Sequence, residues 1–439
     1  MGHPRLGAAF AAVSTPLKII VWGINHAPEA TGIAPYNTEL CAFLAARGHD
    51  VRMLTAFSYY PQWRKAAADQ GRLFRTDMMN GVPVHRCWHY VPPSGRVTAV
   101  RRIWHELTFG LTSALRALTL PRAQVWIVVS PPLVLGFFAW LITQLRGGKI
   151  FFHVQDLQPD AAVGLGMVRP GAFTRALYAL EAFAYARADR VSGISDGMMR
   201  AFAAKGVPEA KRCYFPNWTG ARAGLGMVGA DNTGRARQGV AAGALLALYS
   251  GNLGRKQGLE VLVEAAALLA ADGEAARPVV IVIAGEGAAR DELAEKIYAS
   301  GLANIRLLPL LADADYRALL AAADLSLITQ AAGTGQFFFP SKLLTVLAAG
   351  KPVLAVADAD SELAHAVADG GFGMVTPAGD ATALAARLRA LSADPTPLSA
   401  WRARTSWVER FAAPRVLGAF TGELEKLAGT GTPGKEAQW

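Results

Sequence analysis

From Lys18 onward, short apolar runs alternate with longer amphipathic ones. The run KIIVWGI (18–24) predicts a buried strand, Asn37–Arg47 a helix closed by Gly48, and HDVRMLTA (49–56) a second strand. A helix over 98–120 carries Arg101, Arg102 and Arg116, and strands follow at 125–130 and 149–154. At 188–195 a further strand runs into a helix at 196–205. Continuous apolar strands separated by helices mark a parallel sheet covered on both faces. The pattern lapses over 219–242, which is Gly-rich and without sustained period. It restarts with LLALYSG (245–251) and continues through strands at 278–287, 304–310, 324–329 and 351–356. The expectation is an α/β chain of two doubly wound domains, over 17–225 and 243–404. A helical stretch at about 405–427 could return to the first domain. Ligands in such sheets sit beyond the carboxyl ends of the strands, which puts a substrate in the cleft between domains.

Composition narrows this. Of 439 residues 52% are hydrophobic and 18% charged, which excludes disorder and coiled coil as the main state. The net charge of +10 is uneven: residues 1–220 hold 24 basic and 12 acidic side chains, and the remainder 20 and 22. The first half is therefore suited to face something negative. Cys41, Cys87 and Cys213 are far apart and form no CxxC, so a disulfide framework or zinc site is not expected and a reducing cytoplasm is. Residues 1–16 read as a frayed N-terminus rather than a signal peptide. The apolar segment 125–145 is split by Pro131-Pro132 into pieces too short for roughly 30 Å of hydrocarbon, and predicts strand, turn and helix.

Neither GxGxxG nor GxxxxGK[ST] occurs. The turn Gly251-Asn252-Leu253-Gly254, followed by Arg255, Lys256 and a helix from Gly258, suits a phosphate: glycines admit close backbone approach, and a helix N-terminus offers N–H groups. An ordinary βα turn with solvated cations is the competing reading. Pro340-Ser341-Lys342 opens a second helix, with Ser341 as its cap and Lys342 in a first turn where a cation is unfavourable unless an anion joins it. Gly285 and Gly287 lie in a third loop at the same sheet end.

Six segments in order complete the picture: GINHAPEATGIAPY (23–36), YYPQW (59–63), HVQDLQPDAAVGLGM (153–167), FPNW (215–218), SGNLGRKQGLE (250–260) and FPSKLLTVLAAGKPV (339–353). Over about 18–425 the chain resembles retaining GT-B glycosyltransferases of family 4, in particular the colanic-acid fucosyltransferase-type subgroup of exopolysaccharide synthesis. The resemblance implies two Rossmann-like domains facing across a cleft. It also implies sugar transfer from a nucleotide-sugar donor (GDP-fucose or another GDP- or UDP-sugar) to a saccharide on polyprenyl diphosphate. Lysines and helix ends, with no metal or other cofactor, would stabilise the leaving diphosphate. The Asp-Ala-Asp triplets at 313–315 and 358–360 accordingly read as a cap and a turn.

One departure concerns the two glutamates, eight positions apart, that typical members carry. Aligned on Ala349–Val353, those positions are Phe337 and Thr345 here. Glu362, after Ser361, is the substitute this reading offers, and a first-turn acid is its alternative. On the acceptor side His153 can position a sugar hydroxyl and Asp156 can take its proton; a core histidine with an N-cap aspartate is the other reading. Glu29, Thr31 and Gly32 would face the same cleft. Arg64, Lys65, Arg72, Arg75, Arg96, Arg101 and Arg102, interleaved with Trp63, Phe74, Trp88, Tyr90 and Trp104, suit an anionic membrane surface better than nucleic acid. The expected place of action is the cytoplasmic face of a bacterial membrane, with the protein held peripherally. The catalytic assignments are His153, Asp156, Lys256 and Lys342; Gly251, Asn252, Gly285, Gly287, Ser341 and Glu362 complete the donor side. A GT-B sugar-nucleotide epimerase and a non-catalytic scaffold of polysaccharide assembly are the rival functions.

Overall fold

The computed structural model describes residues 15–29, 32–60, 62–93, 98–164, 171–219, 233–271, 277–335, 342–401 and 405–429. Fourteen strands among them form two sheets. The first contains β1 (Lys18–Trp22), β2 (Asp50–Ala56), β3 (Phe74–Met79), β4 (Val82–Cys87), β5 (Val125–Ser130), β6 (Lys149–Val154), β7 (Arg190–Gly193) and β8 (Arg212–Tyr214). Their order is β3-β4-β2-β1-β5-β6-β7-β8, parallel except for β3. The second contains β9 (Leu245–Ser250), β10 (Val279–Ala284), β11 (Ile305–Leu308), β12 (Leu325–Thr329), β13 (Val353–Val356) and β14 (Gly373–Thr376). Its order, β11-β10-β9-β12-β13-β14, is the 3-2-1-4-5-6 arrangement of a doubly wound dinucleotide-type sheet, parallel throughout.

The strands form because their residues are apolar on both faces: all of VWIVVS in β5 and VVIVIA in β10 are buried. The antiparallel β3–β4 hairpin departs from the alternation read in the sequence. It closes through Asn80 and Gly81, both at positive φ (51° and 77°), the signature of a type I′ turn. Arg86 then binds Asp77 across it, and Arg75 binds the same carboxylate from its own strand. The apolar segment 125–145 divides as its prolines require, into β5 and the helix Leu135–Arg146. No helix among the described residues is long and apolar enough to cross a membrane.

The helical stretch at the C-terminal end is broken into Thr396–Ala400, Thr405–Glu409 and Ala413–Leu427. Trp407 packs on Phe372 under the second sheet, whereas Val416, Leu417, Phe420 and Leu424 enter the core of the first. Phe420 stacks on Phe215, with centroids 3.7 Å apart, and meets Phe151 edge-on at 4.9 Å. The chain thus crosses back to its first half. The halves also touch at Arg200, midway along the helix that follows β7, and Glu362, first residue of the helix that follows β13. Both helices leave the carboxyl ends of their sheets, so these ends face one another.

Candidate active site

The turn after β9 is built by the neighbouring strand. Gly251 N–H donates to Ala284 O (3.0 Å) and Leu253 N–H to Glu286 O (2.9 Å), which extends the β9–β10 pairing beyond both strands. Gly285 and Gly287 belong to that contact: a Cβ on either would collide with the carbonyl of Gly251 or Leu253. Their absent side chains let two loops close on each other, rather than opening a cradle for a ligand. Gly254 N–H is taken by Gln257 Oε1 (3.1 Å), and Lys256 lies in a 3₁₀ turn, Arg255–Gln257, ahead of a helix that starts only at Glu260. Of the expected pair of helix N-termini around an anion, the first is corrected, being displaced by this turn; the second helix runs over Lys342–Ala348. Asn252 is exposed at the turn's tip, and its carbonyl accepts from Tyr249 Oη at 2.8 Å.

Lys342 reaches back across this turn. Its Nζ sits 3.7 Å from the centroid of the Tyr249 ring and 3.5 Å from where a Cβ on Gly251 would lie. That nitrogen is buried and has no hydrogen-bond partner among the described residues. Burial, and then the charge of Lys256, pulls its pKa from 10.5 down to about 7. An ammonium held on an aromatic face beside a second cation lacks only an anion. Tyr249, which the sequence reading missed, is the floor of the site. Its one signal was a phenol closing an otherwise aliphatic strand.

Around the rest of the cleft three expectations change. His153 is a core histidine: Nδ1 meets Ser192 Oγ at 2.8 Å, Nε2 meets Gln155 Nε2 at 2.7 Å, and the ring packs on Phe215. Gln155 in turn exchanges two amide hydrogen bonds with Asn217. With Gln155 donating, His153 Nδ1–H faces Ser192, and burial lowers the imidazole pKa to about 3. No ring nitrogen is left for an acceptor. Glu29 is likewise spent on the fold. Its Oε1 accepts from the N–H groups of Tyr59 (2.8 Å) and Tyr60 (3.0 Å), and its Oε2 from Asn25 (2.8 Å). Glu362 does not replace the absent glutamates, because its Oε1 accepts from Arg200 Nη2 at 2.7 Å. Gly197 abuts the same oxygen, 2.5 Å from the place of a Cβ.

Asp156 keeps a different position. It lies half-buried just past β6, ahead of rather than capping the helix Gln158–Gly164, and its charge acts on Arg102. Gly32 is exposed at φ +65°. Thr345 lies in the helix behind Lys342 and brings no carboxylate. Thr31, Ser341, Phe337 and Arg96 lie outside the described residues. Of the basic and aromatic set, Arg75 is bound by Asp69 and Asp77, Lys65 by the His89 carbonyl, and Arg102 by Glu106. Tyr59, Trp63, His89 and His105 close into one aromatic cluster, with centroids 4.6–5.4 Å apart.

Two facing doubly wound sheets are the arrangement of GT-B glycosyltransferases. The family descriptions agree: "Glycosyl transferase 4-like domain" matches residues 31–218 and "Glycosyl transferases group 1" matches residues 232–408. The chain belongs to the GT-B glycosyltransferases of family 4. It is similar to the putative colanic acid biosynthesis glycosyl transferase WcaI of Escherichia coli K12, with 33% identity over 353 residues, or 79% of this chain and 85% of that one. Among solved structures it resembles the sucrose-phosphate synthase of Thermosynechococcus elongatus (TM-score 0.71, 18% identity, 93% of this chain and 98% of that one). It also resembles HepE of Anabaena, solved with UDP and glucose (TM-score 0.65, 16% identity, 93% and 99%). At such identities these two similarities bear on the fold.

Proposed function

We propose that this glycosyltransferase moves a sugar, with retention, from a GDP- or UDP-sugar (GDP-fucose among them) to a saccharide carried on a lipid diphosphate, in polysaccharide synthesis. One observation carries the donor reading: Lys342 Nζ, buried and without a hydrogen-bond partner among the described residues, lies on Tyr249 near the carboxyl end of β9. A diphosphate placed over Gly251–Gly254 would meet that ammonium and Lys256. As the bond from the sugar's anomeric carbon to the β-phosphate oxygen breaks, negative charge collects on the phosphate. Two fixed cations in a water-poor site stabilise that charge more than they stabilise the intact donor. The acceptor hydroxyl then attacks from the face the diphosphate leaves, and Asp156, just past β6, is the acid–base group the acceptor side offers. The similarity to WcaI, whose name places it in colanic acid biosynthesis, supports polysaccharide synthesis as the setting.

The test is a transfer assay with labelled GDP- and UDP-sugars and a polyprenyl-diphosphate saccharide, run on the unsubstituted chain and on Lys256→Ala/Lys342→Ala. Transfer with retained anomeric configuration, lost in the double variant, supports the proposal. Epimerisation of the free sugar nucleotide without acceptor, or cellular function surviving the double substitution, overturns it.

A further inference from the structure

A groove in the first half has no part in the donor reading. Its walls are Trp63, Arg64 and Lys65, from the loop after β2, and Trp88, Tyr90 and Pro92, from the loop after β4, around a space of about 320 Å³. The sequence shows five of these six as an interleaved set of cations and aromatics, and the fold gathers them at one place. A space of that size lies at the lower end for small-ligand sites and admits a sugar unit. Both walls are fixed before any ligand arrives. Arg64 N–H donates to Tyr59 O (3.0 Å), and the turn so closed holds Trp63 at φ +52°, a left-handed conformation that a bulky residue seldom keeps. Strain of this kind persists where the surroundings enforce it, and it concentrates at ligand sites. Here Tyr59 and His105 pack on the indole, each with centroids 5.4 Å away. The second wall is strapped to the helix Ala99–Ala117: Tyr90 N–H donates to Thr108 Oγ1 (2.9 Å), and Thr112 Oγ1 donates to Trp88 O.

Charge in the groove is one-sided. Lys65 Nζ donates to the His89 carbonyl and lies 4.9 Å from the centroid of the Trp88 ring. A carbonyl and an indole face orient an ammonium without neutralising it, and the carbonyl takes one of its three donors. Asp69, the acid whose charge reaches Lys65, is itself paired with Arg75. Burial pulls the Lys65 pKa from 10.5 down to about 8, the mark of a cation short of counter-charge. Arg64 stands exposed beside it, and no carboxylate lines the groove among the described residues. Aromatic walls with two cations suit a pyranose whose apolar C–H face lies on the indoles and whose anionic substituent meets the cations.

We infer that the groove between Trp63 and Trp88 binds a sugar unit bearing a carboxylate or a phosphate, with Lys65 and Arg64 selecting the anion. Its place in the reaction rests on the acceptor proposed above. Tyr59, packed on Trp63, feels the charge of Arg102, and Arg102 that of Asp156, so the groove adjoins the acceptor side. A glycosyltransferase holding such a unit there extends acidic saccharides in preference to neutral ones.

The experiment is a saturation-transfer NMR titration of the full chain with methyl glucuronide, methyl glucoside 6-phosphate and methyl glucoside. At least one anionic sugar is expected to bind about tenfold tighter than the neutral glucoside, and the two distinguish a carboxylate from a phosphate. Lys65→Met should remove most of that preference and Arg64→Ala part of it, while Trp88→Ala should weaken all binding. Arg64 is exposed, so its variant reads the charge even where substitution at Lys65 disturbs the fold. All three variants should keep the thermal shift given by UDP or GDP, which separates this question from the donor site. No binding, equal binding of all three sugars, or a preference untouched by Lys65→Met and Arg64→Ala would overturn the inference. Binding is read here without transfer, so those results leave the proposed transfer standing, and a failed transfer assay leaves the groove's preference standing.

Discussion

Lys342→Met keeps an apolar stem on Tyr249 and removes only the charge. In the ligand-free protein that charge is a burden: the fall from 10.5 to about 7 withholds roughly 5 kcal/mol from the ammonium form. The folded pKa lies below the unfolded one, so the penalty is complete below about pH 7, shrinks as pH rises, and is gone above about pH 10.5. Methionine should therefore stabilise the ligand-free protein, most at about pH 6 and least at about pH 9. At roughly 2–4 °C per kcal/mol for a domain of this size, a rise in Tm of up to about 10–20 °C is expected at about pH 6. The ligand response should change in the opposite direction. UDP or GDP at about a hundred times Kd adds roughly 2.7 kcal/mol to the unsubstituted chain, and the variant should lose most of that. Turnover should fall about 10²–10³-fold, as when one pre-organised donor is removed. Differential scanning fluorimetry with and without nucleotide, at both pH values, reads these effects together. A variant less stable than the parent at about pH 6, or one with the parent's nucleotide shift, would refute the reasoning.

Nucleotide binding should take up a proton at about pH 8, where unliganded Lys342 is largely neutral, and almost none at about pH 6; calorimetry in buffers of different ionisation enthalpy measures it. Glu29→Gln leaves Asn25 facing an amide instead of a carboxylate and should cost about 1–3 kcal/mol in urea unfolding while sparing the nucleotide thermal shift. Phe420→Ala removes the stack on Phe215 and should cost about 3–5 kcal/mol in urea unfolding, with nucleotide affinity unchanged. Burial lowers His26, His85 and His105 to about 4 and His153 to about 3, below the ordinary 6.5. The stability each contributes is full above about pH 6.5 and lost as pH falls towards those values, so the urea midpoint should drop between about pH 6.5 and 4.

Both sheets were legible because their strands are apolar on two faces, a pattern that needs no tertiary knowledge. The β3–β4 hairpin was legible in principle, through Asn80-Gly81, but interrupts the strand–helix alternation and so went unread. The site was legible only as residue types. Lys342 declared itself by standing in a helix's first turn, while Tyr249 beneath it comes from another strand and no local pattern couples them. His153 and Glu362 failed for the same reason: Ser192 is 39 residues from His153, and Arg200 is 162 from Glu362. What occupies a polar side chain is decided by chain segments far away in sequence. The apolar positions of the helix Ala99–Ala117 were local and readable, yet periodicity alone does not say that Trp104, Leu111 and Leu115 turn outward.

The most direct test is a crystal structure of the chain with an intact GDP- or UDP-sugar. β-Phosphate oxygens within hydrogen-bonding distance of Lys342 Nζ, with Lys256 alongside and the Gly251–Gly254 turn beneath, are what the account predicts. A diphosphate bound elsewhere, with the Lys342 ammonium still lying unpartnered on Tyr249, would contradict it.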